Sequence, residues 1–342
     1  MFEVVFSRDF LDDRGELAYG DIGLATLDSD AHVQYRFLEQ YADPVAPEQI
    51  ADADGLDIIF PHVTADTFAR GAQRLVCIGR CGAGYDRVDL ELCTANDVAV
   101  FSAPEAMALP TAAGSLTLML ALRKRLFALD RIVRAGDWET RAALGGFELK
   151  GRTLGIVGLG HSGRKLAQLA APFEMQLLAY SPHADPQPAR ALGVQLVALE
   201  RLLRESDFVC LHCRLTTATR GLIGAAELAL MKPSAYLVNM ARGPVVDHTA
   251  LVEALQQGRI AGAGIDVFHS EPLPPADPLT QLDNVILSPH WLAGTRDVYL
   301  YAGTSNCKNM LRAARGEVPH NIVNPAVLER PGFQAKLARF RR

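Results

Sequence analysis

The chain has 342 residues, with 34 Lys and Arg against 39 Asp and Glu and a formal net charge of −5. Hydrophobic residues make up 49% and charged residues 21%, the balance of a soluble globular protein with room for about two domains. A mildly acidic chain of this kind argues against nucleic acid as the main partner. The start, MFEVVFSRDF, carries charges and lacks the apolar core of a signal peptide. The longest apolar run near a helix, Leu116 to Leu122, falls far short of a membrane span. Six scattered cysteines lead us to expect a reducing, cytoplasmic setting. Cys210-Leu211-His212-Cys213 contains metal-ligand residue types, but it sits in a strand-like apolar run without a second ligand pair, so buried thiols are expected and no metal.

From residue 1 to about 103, strands and helices are predicted to alternate. Phe2 to Phe6, Leu56 to Phe60 and Leu75 to Ile78 read as strands. Val33 to Tyr41 reads as a helix, and Thr64 to Arg74 as a helix opened by a Thr cap. After Ile78 comes Gly79-Arg80-Cys81-Gly82-Ala83-Gly84-Tyr85-Asp86, then the helix-like stretch Val88 to Asn96. This loop is either an anion cradle made of backbone N–H groups or a plain strand-to-helix turn. Val98 to Phe101 is a short strand, and Ala103-Pro104 is read as a break. Ala112 to Val133 is predicted to be one long apolar helix, suited to a linker or a subunit contact.

Gly151 to Pro182 is the stretch around which the rest of the chain is organised. Leu154 to Val157 is short and apolar, as in a buried strand. Gly158-Leu159-Gly160-His161-Ser162-Gly163 fits G-x-G-x-x-G, a helical stretch comes next, and Leu177 to Tyr180 closes the unit as a second strand. In this context each glycine has a physical task. Gly158 permits the tight turn, Gly160 lets a pyrophosphate approach the backbone, and Gly163 lets the helix pack close to the sheet. The helix start then holds phosphates through its N–H groups and dipole. A bound dinucleotide is therefore predicted.

The rhythm continues with strands at Val194 to Val197, Phe208 to Leu211, Ala235 to Asn239, Gly262 to Phe268 and Val285 to Leu287. Helices are expected at Ala198 to Glu205, Ala225 to Met231, Thr249 to Gln257 and Tyr299 to Arg315. About six strands from 154 to 287 make a doubly wound parallel sheet. The basic tail, Lys336 to Arg342, reads as a solvated end.

In such a sheet, ligands bind beyond the carboxyl ends of the strands. Arg242, Glu271 and His290 each come after one of these ends. Taken singly they are an ordinary surface Arg, a solvated Glu and a satisfied His. Taken together, beside a dinucleotide site, they suit hydride transfer to a 2-oxoacid. A guanidinium can hold the substrate carboxylate, an imidazole can deliver a proton to the carbonyl oxygen, and a carboxylate can orient that imidazole.

The motifs RCGAGYDRVDL (80–90), GRTLGIVGLGHSG (151–163), LTTATRGLIG (215–224), LMKPSAYLVNMARGPVVD (230–247), GAGIDVFHSEPLP (262–274) and NVILSPHWLAGT (284–295) resemble the D-isomer-specific 2-hydroxyacid dehydrogenases, in order, from about Asp57 to about Asn324. The resemblance implies two α/β doubly wound domains, a Rossmann-type cofactor domain inserted in a flavodoxin-like substrate domain. The boundaries implied are 1–103 for the first part of the substrate domain, 104–291 for the NAD(P) domain and 292–342 for the return, with a cleft that closes on substrate. It implies Arg242 as carboxylate binder, His290 as acid/base, Glu271 as its partner, and Asp266 as a nicotinamide-side contact. It also implies that the amides of Ala83 and Gly84 hold the substrate carboxylate. His161, Ser162 and Ala241 would join the three glycines around an NAD or NADP cofactor. A homodimer through the cofactor domain is implied as well.

Departures from the family pattern bear on the cofactor. Ser181, followed by Pro182 and His183, stands where NAD-preferring members carry an Asp for the ribose hydroxyls. Asp185 lies past a proline, and Arg214 stands where a proline is usual. Reduced repulsion, with Arg214 and His183 near, favours tolerance of both NADH and NADPH. Ala113 replaces a common Glu, and we have no physical account of its effect. Trp291 either limits the substrate side chain or packs locally, and His62 is expected to be structural. Corepressors that sense dinucleotides share these motifs, so a binding protein on the same fold is the alternative to an enzyme.

Overall fold

Short runs of Val, Ile, Leu and Phe become strands. In the computed structural model, which describes residues 1–341, they form two wholly parallel sheets. Arg342, the end of the basic tail, lies outside the described residues. The chain divides into two compact units, Met1–Met107 with the return of the chain from Gly294, and Ala108–Ala293.

The first unit holds β1 (Phe2–Phe6), β2 (Val33–Phe37), β3 (Gly55–Ile58), β4 (Cys77–Arg80) and β5 (Ala99–Ser102), in the order β2-β1-β3-β4-β5. That is the flavodoxin-like order. The three strands β3, β4 and β5 are almost entirely buried, as a parallel sheet covered on both faces requires. The returning helix Arg296–Ala314 belongs to this core. Its Met310 packs among Phe2, Phe6 and Phe101, and its buried Asn306 donates to Asp57 Oδ1 at 2.8 Å.

Two helices expected here are absent. Val33 to Tyr41 carries β2, because Val33, Tyr35 and Phe37 alternate with Gln34 and Arg36 and turn one face to the core. In Thr64 to Arg74 only Asp66–Phe68 forms a single 3-10 turn, capped by Ala69, and Gly71 follows at φ 77°. Ala103-Pro104 is not a break. Pro104 opens a helix, where its missing N–H costs nothing.

The second unit holds β6 (Thr153–Val157), β7 (Gln176–Tyr180), β8 (Val194–Leu196), β9 (Phe208–Leu211), β10 (Tyr236–Asn239), β11 (Gly262–Ile265) and β12 (Val285–Leu287). Their order is β12-β11-β10-β9-β6-β7-β8, and all seven runs named as strands are present, one more than the total of about six. The dinucleotide-binding strand order is present, with β12 added at one edge. The predicted helix Ala112 to Val133 is two helices, Pro104–Arg123 and Leu126–Arg134, separated by Arg125 at φ 51°. By length and composition alone Pro104–Arg123 would reach across a membrane. Its Ala112, Leu118, Met119 and Leu122 instead pack with β6 and β9, and a Cβ on Gly264 would meet Leu118 at 3.0 Å.

Candidate active site

Neighbouring strands β6 and β9 send their connections in opposite directions, which opens a crevice past their carboxyl ends. A cavity of about 700 Å³ lies there. The glycine turn forms one side of it. Gly158 has φ 97°, and a Cβ there would lie 2.6 Å from the Cys213 nitrogen. A Cβ on Gly163 would lie 2.1 Å from the Gly158 carbonyl oxygen. Gly160 differs: a Cβ there would meet nothing within 4 Å. The turn is thus closed at two glycines and open at the third, where a pyrophosphate needs room. Gly160 also caps the helix His161–Ala170 without a side-chain hydrogen bond. These features fit a dinucleotide, with phosphates over Gly160 and the helix start.

Ser181, Pro182, His183 and Arg214 line the same cavity. Asp185 lines it too, but its Oδ1 accepts from Gln187 N at 2.9 Å and caps the helix Pro186–Ala191. Sequence reasoning missed Arg164, which adds a second guanidinium to the lining and donates from Nε to the Leu159 carbonyl at 3.2 Å. It also missed the true surroundings of His212. The Nδ1 of His212 lies 2.9 Å from the Ser162 hydroxyl, and its Nε2 lies 3.0 Å from the Ser115 hydroxyl. Ser162 therefore turns toward His212, and one imidazole links the glycine turn to the helix Pro104–Arg123. Burial pushes that imidazole down to about 4. His161 opens the helix with an exposed side chain.

A second cluster lies past the ends of β10, β11 and β12. Asn239, at the end of β10, knits the next turn: its Oδ1 accepts from Ala241 N at 3.0 Å and its Nδ2 donates to the Arg242 carbonyl at 3.1 Å. Arg242 is half-buried and extended, and its Nη1 donates to the Ala241 carbonyl at 2.8 Å. Gly243 allows the backbone of Phe268 and His269 to press against this turn, where any Cβ would collide at 1.9 Å.

Glu271 takes its place on that segment. Its Oε1 accepts from Phe268 N at 3.1 Å, and its Oε2 lies 2.9 Å from His290 Nδ1. Burial alone would raise this carboxyl. The hydrogen bond and charge of His290, the Phe268 amide and the charge of Arg242 outweigh it and hold Glu271 below its ordinary value. His290 adopts φ 54°, a left-handed conformation that costs about 1–3 kcal/mol unless its surroundings enforce it. Asp266 supplies the enforcement. Its buried Oδ1 accepts from the Ser288 hydroxyl, from Trp291 N at 3.0 Å and from Leu292 N at 3.2 Å, bracketing His290 on both sides. Burial raises the Asp266 carboxyl, and these donors work against the rise. The carboxylate that the resemblance assigns to the nicotinamide thus builds the turn that carries His290.

The loop Gly82–Gly84 lies in the first unit. Gly82 has φ 145°, a backbone conformation that favours glycine, and the Arg80 guanidinium lies in the space beside it. Ala103 N donates to the Gly82 carbonyl at 2.9 Å. His62, in the same unit, is fastened to Asp43, with Nδ1 at 2.7 Å from Oδ1.

A strand order of this kind, with a glycine turn at its switch point, defines a dinucleotide-binding α/β protein. Residues 116–291 match the family described as D-isomer specific 2-hydroxyacid dehydrogenase, NAD binding domain. Over 293 residues the chain is 39% identical to a glyoxylate reductase of Korarchaeum cryptofilum (strain OPF8), covering 84% of this chain and 88% of that protein. It is 39% identical over 279 residues to the D-3-phosphoglycerate dehydrogenase of Methanocaldococcus jannaschii, covering 81% of this chain and 53% of that protein. The crystal structure of D-lactate dehydrogenase from Aquifex aeolicus, complexed with NAD and lactic acid, superimposes with a TM-score of 0.82 at 25% identity, covering 94% of this chain and 99% of that one. The chain belongs to the D-isomer specific 2-hydroxyacid dehydrogenase family. It is an enzyme, an oxidoreductase that uses a nicotinamide dinucleotide.

Proposed function

We propose that the protein is a cytoplasmic 2-oxoacid reductase that interconverts a small 2-oxoacid and its D-2-hydroxyacid. In this reading the second unit serves the cofactor and the first serves the substrate. The observation that carries it is the His290–Glu271 pair at 2.9 Å, in the same unit as Arg242 and the glycine-turn cavity. Arg242 binds the substrate carboxylate through its planar guanidinium. Glu271 binds His290 at Nδ1 and fixes the ring, so Nε2 is the atom that delivers a proton to the carbonyl oxygen. In the reverse direction the same nitrogen accepts the hydroxyl proton. A bound reduced nicotinamide supplies the hydride for this chemistry.

Both NADH and NADPH are accepted in this reading. Its support is the uncharged Ser181, the capping engagement of Asp185, and Arg164 and Arg214 around the cavity. The protein is also proposed to be a homodimer. The helix Leu126–Arg134 buries none of its residues and exposes Leu126, Phe127 and Val133, with Trp138 exposed just beyond it.

The decisive experiment monitors the loss of reduced-nicotinamide absorbance with glyoxylate, hydroxypyruvate, pyruvate and phenylpyruvate, using NADH and NADPH in turn. Turnover on a 2-oxoacid that collapses in His290→Asn is expected. Cofactor binding without turnover on any of these acids would overturn the reductase. A strong preference for NADH would overturn the dual-cofactor reading alone.

A further inference from the structure

Three side chains of metal-ligating type, His248, His269 and Asp277, converge in the second unit. His248 is the first residue of the helix His248–Gln256, which Asp247 caps by accepting from Ala250 N at 3.0 Å. Asp277 caps the short turn Pro278–Gln281 through Oδ1, which accepts from Leu279 N at 3.0 Å. Its other oxygen, Oδ2, lies 3.0 Å from His248 Nε2. The His269 ring lies 3.9 Å from the His248 ring, centre to centre, and is tilted by 39°. One ligand atom from each of the three side chains falls within 4.8 Å of the others.

We propose that His248, His269 and Asp277 bind one divalent transition-metal ion of the zinc class. Two imidazole nitrogens and one carboxylate oxygen suit Zn²⁺, Co²⁺ or Ni²⁺, whereas Ca²⁺ and Mg²⁺ demand mostly oxygen ligands. The set is graded in burial. Asp277 is buried, His248 is half-buried, and His269 is exposed, so the ion has an entry side and a fourth position for water. The frame is also built. Asp277 is held by its cap, His248 by its helix, and the His269 backbone is pressed against Gly243, where a Cβ would lie 2.4 Å from the His269 nitrogen. A bound ion would tie the segment from 269 to 277 to the helix at 248. Glu271 lies on that segment, but the site itself stands independently of the proposed reductase activity.

The test uses the full-length protein without a polyhistidine tag, stripped with a chelator and titrated calorimetrically with Zn²⁺. One equivalent is expected, with a thermal transition that rises with Zn²⁺ concentration. In His269→Ala, and again in His248→Ala, the affinity should fall by about tenfold or more and the thermal rise should disappear. His269 is exposed, so its variant tests the site even if His248→Ala folds poorly. Co²⁺ should give the visible absorption of a four-coordinate ion in the wild type only, and Mg²⁺ should give no heat. Absence of stoichiometric Zn²⁺ binding would leave only a His248–Asp277 hydrogen bond and overturn the proposal. So would binding of equal strength in both variants, which would place the ion elsewhere.

Discussion

His290 combines a left-handed backbone with a carboxylate on its ring, and each half is held by a different acid. Glu271 acts on the imidazole and Asp266 acts on the chain around it, so their substitutions should separate. His290→Asn should lower kcat about 10²- to 10⁴-fold, the usual worth of a positioned acid/base, with cofactor binding retained in a fluorescence titration. Glu271→Gln keeps the shape but removes the charge, and should lower kcat and narrow the pH range of activity. Asp266→Ala should cost about 1–3 kcal/mol in urea unfolding for each buried donor that finds no water, and should lower kcat more than it raises KM. The Glu271 carboxyl titrates below its ordinary value in the folded chain, so its stabilising effect is complete above the ordinary value of 4.5 and is lost as the pH falls through the lower folded value. Glu271→Gln should lack this component of acid destabilisation. His290 and Glu271 were legible as a pair from their positions after strand ends and from the motifs that carry them, 262–274 and 284–295. The task of Asp266 was not legible, because its three donors come from 288, 291 and 292, and only folding brings them to one oxygen.

At the scale of the element, the glycine turn separates folding from binding. Gly163→Ala forces a Cβ against the Gly158 carbonyl and should destabilise the protein by about 1–3 kcal/mol without cofactor. Gly160→Ala meets open space, so its cost to folding should not exceed about 1 kcal/mol of capping, while its affinity for the dinucleotide should drop sharply. Thermal melts with and without NADH measure both, and equal behaviour of the two variants would contradict the division of roles. This motif was readable from sequence because all its parts are local: a strand, three glycines and a helix within one short segment. Val33 to Phe37 was misread although its alternation is equally local, because the apolar residues continuing to Leu38 and Tyr41 also fit a helical face. Pairing with β1 decided the matter.

Across the whole molecule, His212 sets an acid limit. Its folded value of about 4 lies below the ordinary 6.5, so between those two values the unfolded chain takes up a proton that the folded chain refuses. Stability from this source is complete above about 6.5, falls as the pH is lowered, and stops falling near 4. The difference between wild type and His212→Gln in thermal unfolding across this range should show that slope, and a parallel pair of curves would contradict it. The exposed apolar side chains of the amphipathic helix Leu126–Arg134 make a prediction of their own. Phe127→Glu should shift the protein to monomer in light scattering while its thermal transition stays near that of an isolated unit.

Sequence by itself determined every strand except β2, together with the glycine turn and the family, because each rests on patterns that neighbouring residues spell out: short apolar runs, φ-permissive glycines, and motifs in a constant order. Tertiary structure alone decided the rest. It bent one predicted helix into two at Arg125, made Asp266 the support of the His290 turn, set His212 between two serines, and gathered His248, His269 and Asp277 into one cluster. These depend on contacts between residues far apart in the chain, and such contacts exist only once the hydrophobic cores have fixed where each strand ends.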